Sequence, residues 1–112
     1  MSRKRLSALT GCLLACAVLA PAAAFGGAHA AGTHTVSLHE FGFHPGTLTI
    51  RRGEEVRWVW RDQVEHNVTF HGFHSHTQVH GSYTVRFNRS GTFKYFCTIH
   101  VAEGMRGKIV VH

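Results

Sequence analysis

From Val36 to Val111 the chain is a succession of short runs with apolar residues at every second position, separated by turn residues. Val56, Trp58 and Trp60 alternate with Arg57, Val59 and Arg61. Leu48 and Ile50 alternate with Thr47 and Thr49, and Tyr83, Val85 and Phe87 with Thr84, Arg86 and Asn88. Phe93, Tyr95 and Cys97 share one face of a further run. A period of two marks a half-buried strand, and no stretch here repeats with a helical period. Val36 and Leu38 have the opposite parity to Phe41 and Phe43, so a bulge near His39-Glu40 is expected to bring both pairs inward. His44-Pro45-Gly46 and Arg52-Gly53-Glu54 read as turns, and Asn88-Arg89-Ser90-Gly91 as a hairpin-type turn. With runs at His66–Phe70 and Gly107–Val111 the pattern predicts about seven short strands. The expected fold is all-β, a β-sandwich with Greek-key connections. No internal repeat or second domain is visible. Trp58, Trp60, Phe87 and Phe93 are expected inward, each stabilising the fold by about 1.5–3 kcal/mol when fully buried.

The first thirty residues do not share this pattern. Met1-Ser2-Arg3-Lys4-Arg5 is a basic head, Leu6 to Phe25 is almost wholly apolar or small, and Ala28-His29-Ala30 is an A-x-A exit. Together they read as a secretory signal peptide, residues 1–30, cleaved near Ala30 and leaving residues 31–112 as the domain. Two other readings stay open: a retained membrane anchor, and lipid attachment at Cys12 or Cys16, each of which closes a lipoprotein-like box. Export implies a periplasmic or extracellular setting, with membrane association only through this segment. Cleavage removes Cys12 and Cys16, so Cys97 is left in an oxidising compartment with no partner for an internal disulfide. It also removes Arg3, Lys4 and Arg5, which takes the formal charge from +6 to +3. The remaining basic residues are scattered among acidic ones. They form no basic run interleaved with aromatics, so nucleic-acid binding is not expected.

Cys97, His100 and Met105 offer a thiolate, an imidazole and a thioether from one short loop that follows a strand. Soft sulfur with nitrogen suits copper. Gly104 allows the bend that returns Met105 toward the cysteine. A second histidine is needed, and His66 is best placed, since it opens a strand directly after a polar connection. His66, Cys97 and His100 then form a trigonal set with Met105 as a long axial contact, the arrangement of blue-copper electron-transfer sites. Taken singly each residue has a blander reading: an inert buried cysteine, a loop histidine, a core methionine. The joint spacing and the strand context reverse it.

In Glu65-His66-Asn67-Val68, in Tyr95-Phe96-Cys97-Thr98-Ile99-His100 with Met105, and in the opening from Phe41 to Val56, the sequence resembles the cupredoxins of the plastocyanin/amicyanin branch. The spacing C-x-x-H-x-x-x-x-M resembles the plastocyanin form. The resemblance covers essentially all of residues 31–112. It implies a small protein with one type 1 copper on His66, Cys97, His100 and Met105, passing single electrons between redox partner proteins. It further implies that Asn67 and Thr98 tie the two ligand loops together and tune the metal. His100 is expected near the surface, with Val101 and Ala102 forming an apolar electron port. No nucleophile–base pair is present and four ligands leave no position for substrate, so catalysis is not expected. The domain is expected to act as a monomer.

His71, His74, His76 and His80 crowd one polar stretch, and His74 and His76 fall on the same side of an extended chain. Such tracts can take Zn²⁺ or Cu²⁺. The plainer reading is an exposed polar loop. The alternative function that follows from a metal-binding loop is copper delivery or storage on the same fold.

Overall fold

The computed structural model describes residues 32–112. The expected signal segment, residues 1–30, lies outside the described residues. Nine strands form in order: β1 Thr33–His39, β2 Gly42–His44, β3 Thr47–Ile50, β4 Glu55–Trp60, β5 Thr69–Phe70, β6 Phe73–His74, β7 Ser82–Arg86, β8 Gly91–Phe96 and β9 Arg106–Val111. They make two sheets, one ordered β2-β1-β4-β7 and the other β3-β9-β8-β5-β6. β1 runs parallel to β4, and β3 parallel to β9; the other pairs are antiparallel. The inward faces of the two sheets share one apolar core. This is the expected all-β sandwich.

Two of the nine strands arise where the sequence pattern suggested something else. The parity change after His39 is not a bulge but a tight turn. Glu40 and Phe41 both take left-handed conformations, with φ of 53° and 55°. A two-residue hairpin loop with positive φ at both central positions matches the twist of the strands it joins. His39 then pairs with Gly42 and Leu38 with Phe43. Phe43 is buried as expected, whereas Phe41 stands 44% exposed at the hairpin tip. The second addition is the short β5–β6 hairpin inside the histidine-rich stretch, where Phe70 stacks on Phe73 at 4.5 Å.

The stretch His66–Phe70, expected as one strand, is regular only at Thr69–Phe70. His66 instead makes an isolated bridge to Gln78 through paired backbone bonds of 3.0 Å. The Val68 amide donates to the Ser75 hydroxyl at 2.9 Å, which takes the place of a ladder bond. The turn at 88–91 is not a hairpin either. It carries the chain from β7 in one sheet to β8 in the other.

Trp58 centres the core. Its ring meets Phe70 at 5.6 Å, Tyr95 at 5.4 Å, Tyr83 at 6.0 Å and Phe87 at 6.4 Å. Aromatic pairs at such offset or edge geometries add to the burial of apolar area. Burial pushes the Tyr95 hydroxyl up to about 12, so this ring stays neutral and apolar. Phe93, expected inward, is only partly buried and packs at the rim of the core against Phe87. The consequence for function is rigidity. β8 is clamped between β9 and β5, so the residue that follows it, Cys97, leaves a fixed strand end.

Candidate metal centre

Cys97 follows directly on β8 and keeps the inward parity of Tyr95. It is fully buried. Two backbone bonds shape the loop behind it: the His100 amide donates to the Cys97 carbonyl at 3.2 Å, and the Cys97 amide to the Met105 carbonyl at 3.0 Å. A single 3-10 turn at Val101–Glu103 fills the loop, and Gly104 at φ 79° closes it. A left-handed residue at that position is easiest for glycine. The loop therefore returns Met105 beside Cys97, with the methionine side chain fully buried.

His66 arrives from the neighbouring β4–β5 connection. Its Nδ1 lies 3.2 Å from Nδ1 of His100, and the latter lies 3.5 Å from Cys97 Sγ. The three potential donor atoms all fall within 4.8 Å of one another, and His66–Cys97–His100 is the one such three-residue group of His, Cys, Asp or Glu among the described residues. His66 and Cys97 are buried, and His100 is half-buried at the surface of the molecule.

The opposite edge of His66 faces a carboxylate. Nε2 lies 3.0 and 3.2 Å from the two oxygens of Asp62. A carboxylate accepts only, so Nε2 carries the hydrogen and the Nδ1 lone pair points into the cluster. Burial lowers the His66 pKa, and the Asp62 charge offsets this only in part, so the ring is held neutral. Partial burial pushes the Asp62 carboxyl up, but the amides of Val64 and Glu40 and the His66 ring outweigh it. The net shift is downward, and the group stays ionised. The Trp60 indole N–H donates to the His66 carbonyl at 2.9 Å, fixing the backbone as well.

Asn67 joins the two ligand segments. Its Nδ2 donates to Thr98 Oγ1 at 2.7 Å and to Thr77 Oγ1 at 2.9 Å. Its Oδ1 accepts from the Thr98 amide at 3.0 Å and from Thr69 Oγ1 at 2.9 Å. The Asn67 amide faces Cys97 Sγ at 3.4 Å. An N–H aimed at sulfur withdraws electron density from it, a way of tuning a metal site from outside the ligand set.

The donor set fits copper. Two imidazoles and the Cys97 sulfur converge, the hydrogen on the far side of His66 is committed to Asp62, and a thioether is buried alongside. Thiolate and thioether select Cu(I), and imidazole also suits Cu(II). The other histidines do not join this cluster. His71, His74, His76 and His80 are all exposed. His74 and His76 are exposed on either side of the buried Ser75. His74 uses Nδ1 on the Ser75 carbonyl at 2.9 Å.

Four residues escaped the sequence reading. Asp62 lay in what looked like a polar connection, although a carboxylate four residues before a candidate ligand is a usable signal. Ser75 and Thr77 sat in a loop whose polar character hid their roles as hydrogen-bond partners. Phe41 packs edge-on against His100 at 4.8 Å and His66 at 6.4 Å, a contact visible only once the hairpin is known.

A two-sheet all-β fold with a His–Cys–His cluster and a buried methionine at one end defines a type 1 copper protein of cupredoxin class. Residues 30–112 match the model of the copper binding proteins, plastocyanin/azurin family, and the chain belongs to that family. It is 34% identical to plastocyanin of Scenedesmus fuscus over 83 residues, covering 62% of this chain and 85% of that protein. It is 31% identical to amicyanin of Paracoccus denitrificans over 111 residues, covering 91% and 83%. Against the longer chloroplastic plastocyanin of Tetradesmus obliquus the match spans 57% of the relative's length. Among solved structures, the Cu(I) form of an amicyanin mutant superposes with a TM-score of 0.66 at 29% identity, covering 75% of this chain and 86% of that one.

Proposed function

We propose that this protein is an exported single-electron carrier holding one copper on His66, Cys97, His100 and Met105. The observation that carries the reading is the convergence of His66 Nδ1, His100 Nδ1 and Cys97 Sγ within 4.8 Å, on a frame that fixes all three. Copper bound there would alternate between Cu(I) and Cu(II). The protein's part is to keep the ligands still while the charge changes. β8 and its two neighbours hold Cys97, Asp62 and Trp60 hold His66, and Asn67 ties both segments together. Little rearrangement is then needed on gaining or losing an electron.

The route in and out follows from exposure. His100 is the half-buried ligand. Around it stand Phe41, 44% exposed, Ile99, 48% exposed, and the partly buried Val101. An apolar rim of this kind suits brief contact with redox partner proteins, since weak encounters release quickly. Three protein donors and a buried thioether leave no place for substrate, so the protein is read as a carrier and not an enzyme. Export rests on the N-terminal basic head, apolar run and A-x-A exit. Voltammetry of the copper-loaded protein tests the proposal. A reversible one-electron couple is expected; copper bound without a reversible couple favours delivery or storage instead.

A further inference from the structure

A second feature lies away from the His66–Cys97–His100 cluster. A groove of about 610 Å³ crosses the outer face of the five-stranded sheet, lined among others by His71, Lys94, Phe96, Arg106 and Lys108. Lys94 of β8 stands directly opposite Lys108 of β9, and Phe96 opposite Arg106. Like charges directly across an antiparallel pair destabilise a sheet, so this register works against stability. Among the described residues no ion pair offsets it. None of the five strands carries an aspartate or glutamate. The ion pairs among the described residues join Glu54, Glu40, Asp62 and Glu55 to His34, His39, His66 and Arg86, and none includes the three groove cations.

The charge balance is uneven in the same sense. Residues 32–112 hold nine lysines and arginines against six acids. Three of those cations stand on this sheet, so the whole positive excess is concentrated there and the rest of the domain is balanced. Phe96 and Thr69 are half-buried on the same face and give the groove an uncharged floor.

We propose that this groove docks an acidic peptide segment of a partner protein, with carboxylates on Lys94, Arg106 and Lys108 and the segment's apolar part against Phe96. The proposal names the chemistry of the partner, and it rests on the electron-carrier reading only for that partner being a redox protein. Complementary charge across such a surface speeds encounter and sets orientation, and its effect weakens with salt.

The test is an NMR titration of the reduced, copper-loaded protein with a polyglutamate peptide at low and high salt. Amide shifts are expected at 94–96 and 106–108, fading as salt is added. Lys94→Glu should weaken binding about tenfold without lowering Tm, because a carboxylate then faces Lys108. Arg57→Glu, an exposed change on the opposite sheet, should leave binding unchanged. Should Lys94→Glu lower Tm, Lys108→Gln provides the same comparison. Equal weakening by the Arg57 and Lys94 variants, or shifts centred elsewhere, overturns the proposal. The redox couple is recorded on the same sample. A lost couple with intact peptide binding overturns the carrier reading and not the groove.

Discussion

The Asp62 carboxylate meets the Nε2 edge of His66 at 3.0 Å, and this contact decides which edge of the imidazole is left for a metal. Without it the ring is free to hold its hydrogen on Nδ1, in the middle of the donor cluster. Partners of this type, when removed, typically lower metal affinity about 10–100-fold. Asp62→Ala should therefore weaken copper binding by that order while the fold persists. A competition titration against a chelator measures it, and unchanged affinity would remove Asp62 from the account.

Asn67 is the knot between the His66 and Cys97 segments, with four side-chain hydrogen bonds and little exposure. Asn67→Ala leaves the Thr98 amide and neighbouring hydroxyls without their partner. Thr98 and Thr77 are exposed, so water takes up part of what is lost, and the net cost is about 1 kcal/mol. The expected result is a loss of about that size in denaturant unfolding of the metal-free protein, together with a shifted reduction potential. Stability lost with the potential unmoved would assign Asn67 to the fold alone.

Gly107 lies opposite Tyr95 in the β8–β9 ladder, and a methyl there would sit 2.5 Å from the tyrosine ring. Tyr95 is itself packed against Trp58, Phe43 and Phe70, so it has nowhere to move. Overpacking of this kind costs typically about 1–3 kcal/mol. Gly107→Ala should lower Tm accordingly, and a wild-type Tm would show that the ring yields.

Glu54 supplies an acid-sensitive element away from the metal. Its carboxylate accepts from the Arg51 amide at 2.8 Å and meets His34 Nε2 at 3.1 Å. These contacts, the Arg51 amide first and then His34, lower its pKa below the ordinary 4.5. A carboxylate with a depressed folded pKa contributes stability that is present above its unfolded value and lost as pH falls through the folded one. Stability should decline as pH drops below about 4.5, and Glu54→Gln should shrink that decline. Thermal melts of both proteins between neutral and acid pH decide it; parallel curves would exclude Glu54 as a contributor.

The sandwich was legible because its strands bury one face, and burying one face writes a period of two into Val56–Trp60, Tyr83–Phe87 and Phe93–Cys97. The ligand candidates were legible because Cys97, His100 and Met105 are local in sequence and His66 carries a resembling neighbourhood. What stayed hidden depends on pairing across distance. The Glu40-Phe41 turn has none of the glycine or asparagine that usually announces two left-handed residues, so its parity change looked like a bulge. Ser75 was unreadable for a related reason: its hydroxyl stands in for a backbone partner of Val68, which no local pattern records. The Lys94–Lys108 pair exists only through the β8–β9 register.

The proposed function requires one copper on His66, Cys97, His100 and Met105, with the Cys97 sulfur as a ligand. Titrating the purified metal-free protein with Cu(II) tests it most directly. An intense blue colour is expected, saturating at one copper per chain and abolished by Cys97→Ser. A colourless complex, or several coppers per chain whose binding survives Cys97→Ser, would contradict it.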